Sequence, residues 1–197
     1  MDNRYETEEY PAPSHEEIRA NRMLSAMAST GRQPLTLRNL FSYNTRYNPL
    51  RARRSLLCSI RAVQRGVTGR GNPAYTFVIL DNQEGTGRPH RVDISSADEK
   101  EPAYTGRPVV SCTCEDFVFR CEYALTQWKV SVIRYGNGDP AGVKNLMNAP
   151  YVCKHILCAM QHLFNRSRRT KSVYVSEKRH GKASKESVRF QPDRWTD

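Results

Sequence analysis

Two short pairs of ligand-type residues, Cys112-x-Cys114 and Cys153-x-His155, carry the most specific chemistry in this sequence. Together they supply three thiols and one imidazole. Such a set binds zinc tetrahedrally and leaves no position open for water, so it belongs to structural rather than catalytic sites. The spacing also says what must hold each pair. Residues two apart on an extended strand leave the same face, which suits Cys112 and Cys114. The same offset does not put two ligands on one face of a helix. Cys153 therefore belongs in the turn before a helix, with His155 in that helix's first turn.

The elements needed for this are readable around the pairs. Alternating and β-branched runs predict strands over residues 55–64, 74–80, 91–95 and 107–114, the last delivering the first ligand pair. Four strands at short spacing with turn-rich connections predict an antiparallel meander. Phe117, Cys121, Ala124, Leu125 and Trp128 fall at helical spacing, so residues 117–129 read as one helix. Residues 130–135 read as a further strand before the Gly136-Asn137-Gly138-Asp139-Pro140 turn. A final helix over about 152–165 presents Ile156, Ala159, Met160, Leu163 and Phe164 on one face, and should pack on the sheet. Near the start, Ser14-His15-Glu16-Glu17 fits a capping box for a helix running to Thr30 before Gly31.

The flanks of the ligand pairs add a resemblance. Val110-Ser111-Cys112-Thr113-Cys114-Glu115-Asp116-Phe117 and Pro150-Tyr151-Val152-Cys153-Lys154-His155-Ile156-Leu157 resemble the two halves of the SWIM-type zinc finger, whose pattern is Cys-x-Cys, a variable insert, then Cys-x-His. The likeness runs from about Val109 to Phe164. Phe117 to Leu125, with Gly136-Asn137-Gly138, further resembles SWIM proteins of tailed bacteriophages. The resemblance implies Zn2+ as cofactor on Cys112, Cys114, Cys153 and His155. It also implies contact with DNA or protein, since SWIM modules accompany helicases, Mutator-like transposases and recombination factors. Packing of the four residues without a metal is the alternative, and two pairs with such flanks argue against it.

The chain has 197 residues and a net charge of +11, unevenly placed. Residues 1–22 are acidic on balance, residues 23–70 carry nine arginines and no acid, residues 71–165 are near neutral, and residues 166–197 are again basic. A hydrophobic fraction of 38% and a mean hydropathy of −0.71 are low for a fully packed globule and favour arms. The expected organisation is an N-terminal arm over 1–54, a zinc-binding core over 55–165 that should fold alone, and a basic tail over 166–197. Six cysteines without a disulfide-like ladder point to a reducing compartment. No apolar stretch approaches the roughly 20 residues that span a membrane. The expectation is a soluble protein of a host cytoplasm or of a virion, without membrane contact.

Within the N-terminal arm, Phe41, Tyr43 and Tyr47 interleave with Arg38, Arg46, Arg51, Arg53 and Arg54. Arginine and aromatic interleaving suits phosphate contact with base stacking, and equally suits an acidic protein neighbour. These arginines, with Arg168 and Arg169 of the tail, are the expected partner contacts. Cys121 and Cys58 read as small core residues, and Cys158 with His162 as a packed helical pair rather than a second metal site. None of the common catalytic motifs occurs: there is no His-x-Glu with Cys-x-x-Cys, no His-Glu-x-x-His, no phosphate loop and no Gly-x-Ser-x-Gly. The sequence therefore reads as an α+β, non-catalytic zinc protein without a small-molecule substrate. It binds nucleic acid or a macromolecular assembly through basic arms. The alternative is a virion structural or assembly protein, of capsid, connector or tail, whose zinc is purely structural.

Overall fold

In a computed structural model of the chain, the described residues are 14–16, 18, 19, 22, 35–82, 88–104, 107–142, 145 and 148–179, with side chains described as far as Ser167. The order of elements is α1 (Leu37–Tyr47), α2 (Pro49–Ser55), β1 (Cys58–Val67), β2 (Pro73–Asp81), β3 (Pro89–Ser96), β4 (Pro108–Cys112), α3 (Glu115–Arg120), α4 (Glu122–Gln127) and α5 (Lys154–Arg179). The fold is α+β. Its sheet is an antiparallel meander in the order β1-β2-β3-β4, with one bulge at Arg61 where the register shifts between Ile60 and Ala62.

One face of the sheet is apolar because alternate residues point the same way. Tyr75, Phe77 and Ile79 of β2, Val92 and Ile94 of β3 and Val110 of β4 are buried on it. The apolar stripe of α5 covers this face with Ile156, Leu157, Ala159, Met160, Leu163 and Phe164. Full burial of each such side chain is worth about 1.5–3 kcal/mol.

The segment expected as a basic arm is folded instead. Thr36 caps α1 by accepting the Asn39 N–H on Oγ1 at 3.1 Å, and Leu37, Leu40, Tyr43 and Asn44 are buried. Asn48 ends α1 and caps α2, accepting the Arg51 N–H at 3.4 Å on Oδ1, with Pro49 at the first helical position. Phe41 meets Phe164 edge to face at 5.5 Å, which seats α1 on α5. Residues 35–55 therefore belong to the core, and a boundary at 54 cuts through it.

Three other expectations are corrected. The helix expected over 117–129 is two short helices, jointed at Cys121, whose φ of −114° departs from helical geometry. Residues 130–135 are not a strand. Val130 C=O takes one bond from Val110 N–H at 2.9 Å, and the chain then turns because the buried Glu122 carboxylate gathers the N–H groups of Arg134, Tyr135 and Gly136 at 2.9, 3.0 and 2.6 Å. The last helix does not stop near Asn165 but continues to Arg179, so the tail begins on a helix. Of the helix expected from Ser14, Ile18 N–H donates to Ser14 C=O at 2.9 Å, while Glu17 of the capping box and residues 23–30 lie outside the described residues. Residues 1–13 and 180–197 also lie outside them.

Candidate metal centre

Cys112 is the last residue of β4, whose register sets it opposite Val92. Beyond it, Thr113 N–H donates to Arg91 C=O at 3.0 Å and Thr113 Oγ1 accepts the Arg91 N–H at 3.0 Å, so the strand edge carries one residue further before the chain turns. Cys114 then caps α3 in an extended conformation, with its C=O taking the first helical bonds from Phe117 and Val118. On the other side of the insert, Cys153 C=O accepts Leu157 N–H at 3.2 Å and so caps α5, while His155 sits in the first turn of that helix.

These placements bring the four side chains together. Cys112, Cys114, Cys153 and His155 are all buried, and their ligand atoms lie within 4.8 Å of one another. Cys112 Sγ is 3.9 Å from His155 Nδ1, and Cys114 N–H points to Cys112 Sγ at 3.5 Å. Sulfur ligands about 2.3 Å from a tetrahedral zinc stand roughly 3.8 Å apart, so the cluster has the size a zinc-like ion requires. None of the three cysteines is in a disulfide.

The protonation chemistry of the cluster favours a cation as well. Burial pushes the thiols of Cys112 and Cys153 well above the usual thiol range. Hydrogen bonds from the Cys112 and Cys153 side chains hold Cys114 well below it. On protons alone, the three thiols lean on one another's hydrogen bonds in a buried place. A divalent cation replaces those protons and satisfies all four donors at once. His155 Nε2 is buried without a hydrogen-bond partner, with the His90 ring tilted over it at 4.4 Å between centroids. The donor set and its burial fit a closed four-ligand metal site.

The support around the ligands is a set of polar residues that sequence reasoning did not single out. Asn44 on α1 donates from Nδ2 to Pro150 C=O at 3.0 Å and accepts Val152 N–H on Oδ1 at 2.9 Å, fixing the chain just before Cys153. Asn145, in the left-handed region at φ 63°, donates to Arg120 C=O at 2.9 Å and accepts Ala149 N–H at 2.8 Å. Lys154 pairs with the buried Asp81 of β2. Asn44 carries no local signal of this role, since its partners Pro150 and Val152 lie more than a hundred positions later.

The expected partner contacts are dispersed. Arg51 is buried: its Nη2 pairs with Asp116 Oδ1 at 2.5 Å, its Nη1 reaches Cys121 Sγ at 3.9 Å, and its guanidinium lies 5.9 Å from the Tyr151 ring centre. It braces α3 beside the cluster and is not a surface contact. Arg38 lies over Phe164 at 5.4 Å, and Arg46 pairs with Glu16 beside Tyr47. Arg53 is exposed and Arg54 half-buried at the end of α2. Arg168 and Arg169 are on α5, with side chains outside the described residues.

The remaining cysteines stay apart from the cluster. Burial pushes Cys121 up from the usual thiol range, and its Sγ donates to Asp116 C=O at 3.5 Å. Cys158 is pushed up to about 11 by burial, and its Sγ lies 3.9 Å from Cys58 C=O. Among the described residues, no helix is long and apolar enough to cross a membrane. No family model, curated protein or solved structure matches the chain.

Proposed function

We propose that this chain is a non-catalytic zinc protein of SWIM type, whose zinc closes the fold and whose basic surfaces hold an acidic macromolecular partner. One observation carries the reading: Cys112, Cys114, Cys153 and His155 converge, buried, from the two ends of a long insert. With four protein ligands, a zinc ion there has no open position for substrate or activated water, so its role is to tie β4 and α3 to α5. The phage-type flanks of the ligand pairs favour an accessory protein acting in a host cell or in a particle. The partner is nucleic acid or a protein assembly. The assembly role, as a capsid, connector or tail component, is favoured by the exposed Leu56, Leu57 and Val67 at the ends of β1. It is favoured too by the turn of Arg51 into the core, which removes one phosphate-type contact.

Metal analysis of the purified full chain tests the centre. The expected result is one zinc per chain, lost in the Cys112→Ser/Cys153→Ser double variant. One equivalent retained by that variant removes these residues from the site.

A further inference from the structure

The two edges of the sheet are treated differently. At the β4 edge, Val110 N–H donates to Val130 C=O at 2.9 Å and Ser131 Oγ donates to Val110 C=O at 2.8 Å, so the edge is covered. At the β1 edge, every residue from Arg61 to Val67 except Val63 is exposed. Among the described residues, the backbone pairing of Ala62–Val67 is with β2 alone. The outer row of N–H and C=O groups on such a strand is a template for one more strand.

The chemistry around this edge says what that strand carries. Arg61 stands at its start, on the bulge, and Arg70 at its end in the turn to β2; both are exposed and form no ion pair among the described residues. Arg65 lies between them and is already paired with Glu101, which also accepts the Tyr75 hydroxyl. No acid occurs between residues 23 and 70. Ala62, Gln64 and Gly66 fall on the sheet face away from α5, where their small or uncharged side chains leave room for a neighbour. Leu56 at 76% exposure and Val67 at 69% bracket the strand with apolar surface.

Two copies pairing through β1 would set arginine against arginine, which is unfavourable directly across a ladder. A nucleic acid would match the charge but supplies no peptide ladder and no use for the exposed leucines. An extended acidic peptide meets all three features. We propose that the Ala62–Val67 edge docks an extended acidic segment of a partner protein as a fifth strand, with its carboxylates directed to Arg61 and Arg70. The inference rests on the reading of the chain as a binding platform and goes beyond it by naming the surface and the partner's chemistry.

The test uses the full chain, with zinc content measured in every sample. The probes are a short peptide alternating Glu with Val and Thr, the same peptide N-methylated on alternate amides in either phase, and a short single-stranded DNA. The Glu peptide is expected to slow hydrogen exchange at the amides of Ala62–Val67. N-methylation in one phase should weaken binding about tenfold or more at unchanged charge, because the ladder is lost. Arg61→Glu/Arg70→Glu should weaken the Glu peptide by about tenfold and restore binding to a Lys-for-Glu peptide. Equal affinity for both methylated peptides, protection elsewhere than on β1, or equal protection of Ala62–Val67 by the DNA each overturns the inference. Those results with full zinc content leave the zinc reading intact, whereas zinc-free wild-type protein overturns that reading separately.

Discussion

Cys114 has three places in the cluster: it offers a ligand-type sulfur, it is the N-cap of α3, and it donates its backbone N–H to Cys112 Sγ. Three thiolates around a divalent cation leave a net negative charge in the interior. Cys114 and Cys153 stand at the N-termini of α3 and α5, where the positive end of the helix dipole offsets part of that charge. Arg51 adds a positive charge beside the cluster through Asp116, with a side chain only 6% exposed. Breaking that pair should be costly. Arg51→Met leaves Asp116 with Arg120 alone, at 3.1 Å, and empties a buried place, so it should destabilise the fold by about 1–3 kcal/mol, whereas Arg53→Met on the exposed end of α2 should stay within about 0.5 kcal/mol. Urea unfolding of the two variants checks the contrast, and equal small losses would return Arg51 to the surface. Cys121→Ala should keep one zinc per chain, because its thiol packs against Asp116 C=O and lies outside the ligand cluster. Metal analysis of this variant tells a core thiol from a competing ligand.

At the scale of elements, the strands and the ligand pairs were legible and α1 with α2 were not. Alternation on β2 and β3 is strong because one face is packed and the other is not, so Phe77, Ile79, Val92 and Ile94 announce their side of the sheet. In α1 the buried stripe is Leu37, Leu40, Tyr43 and Asn44, and its polar member and the surrounding arginines resemble an arm. The signals present were the Thr36 cap and the Asn48-Pro49 corner, which are local. What reveals their use is tertiary: Asn44 bonds to residues more than a hundred positions later. Residues 130–135 misled for the same reason, since Glu122 bends a β-prone segment by collecting its amides. Asn44→Ala should therefore act on the second ligand pair from a distance in sequence. It leaves Pro150 C=O and Val152 N–H without their partner in a buried place, a cost of about 2–4 kcal/mol. A fall in both unfolding midpoint and zinc affinity is expected; unchanged zinc affinity would separate α1 from the centre.

Over the whole molecule, the cluster joins chain segments on either side of residues 115–152. Closing so long a loop costs little more than closing a short one, about 0.6 kcal/mol for each doubling, so the long insert is no obstacle to the site. A metal held there would also join the two halves of the core, the sheet that ends in Cys112 and the helix that begins after Cys153. Chelation should consequently lower the melting temperature by more than about 10 °C, as several kcal/mol of binding are coupled to folding. The packing of α1 and α2 also fixes where the chain can be shortened. A fragment of residues 55–165 retains every ligand but loses Leu37 and Leu40 from the core, Asn44 from the approach to Cys153 and Arg51 from its pair with Asp116. Burial of two leucines alone is worth about 3–6 kcal/mol, a large part of the 5–15 kcal/mol that holds a domain together. Residues 35–179 should thus fold cooperatively with one zinc, and residues 55–165 should not, by near-ultraviolet dichroism and metal content. Cooperative, zinc-loaded folding of the shorter fragment would show that α1 and α2 are appended to the core and not part of it.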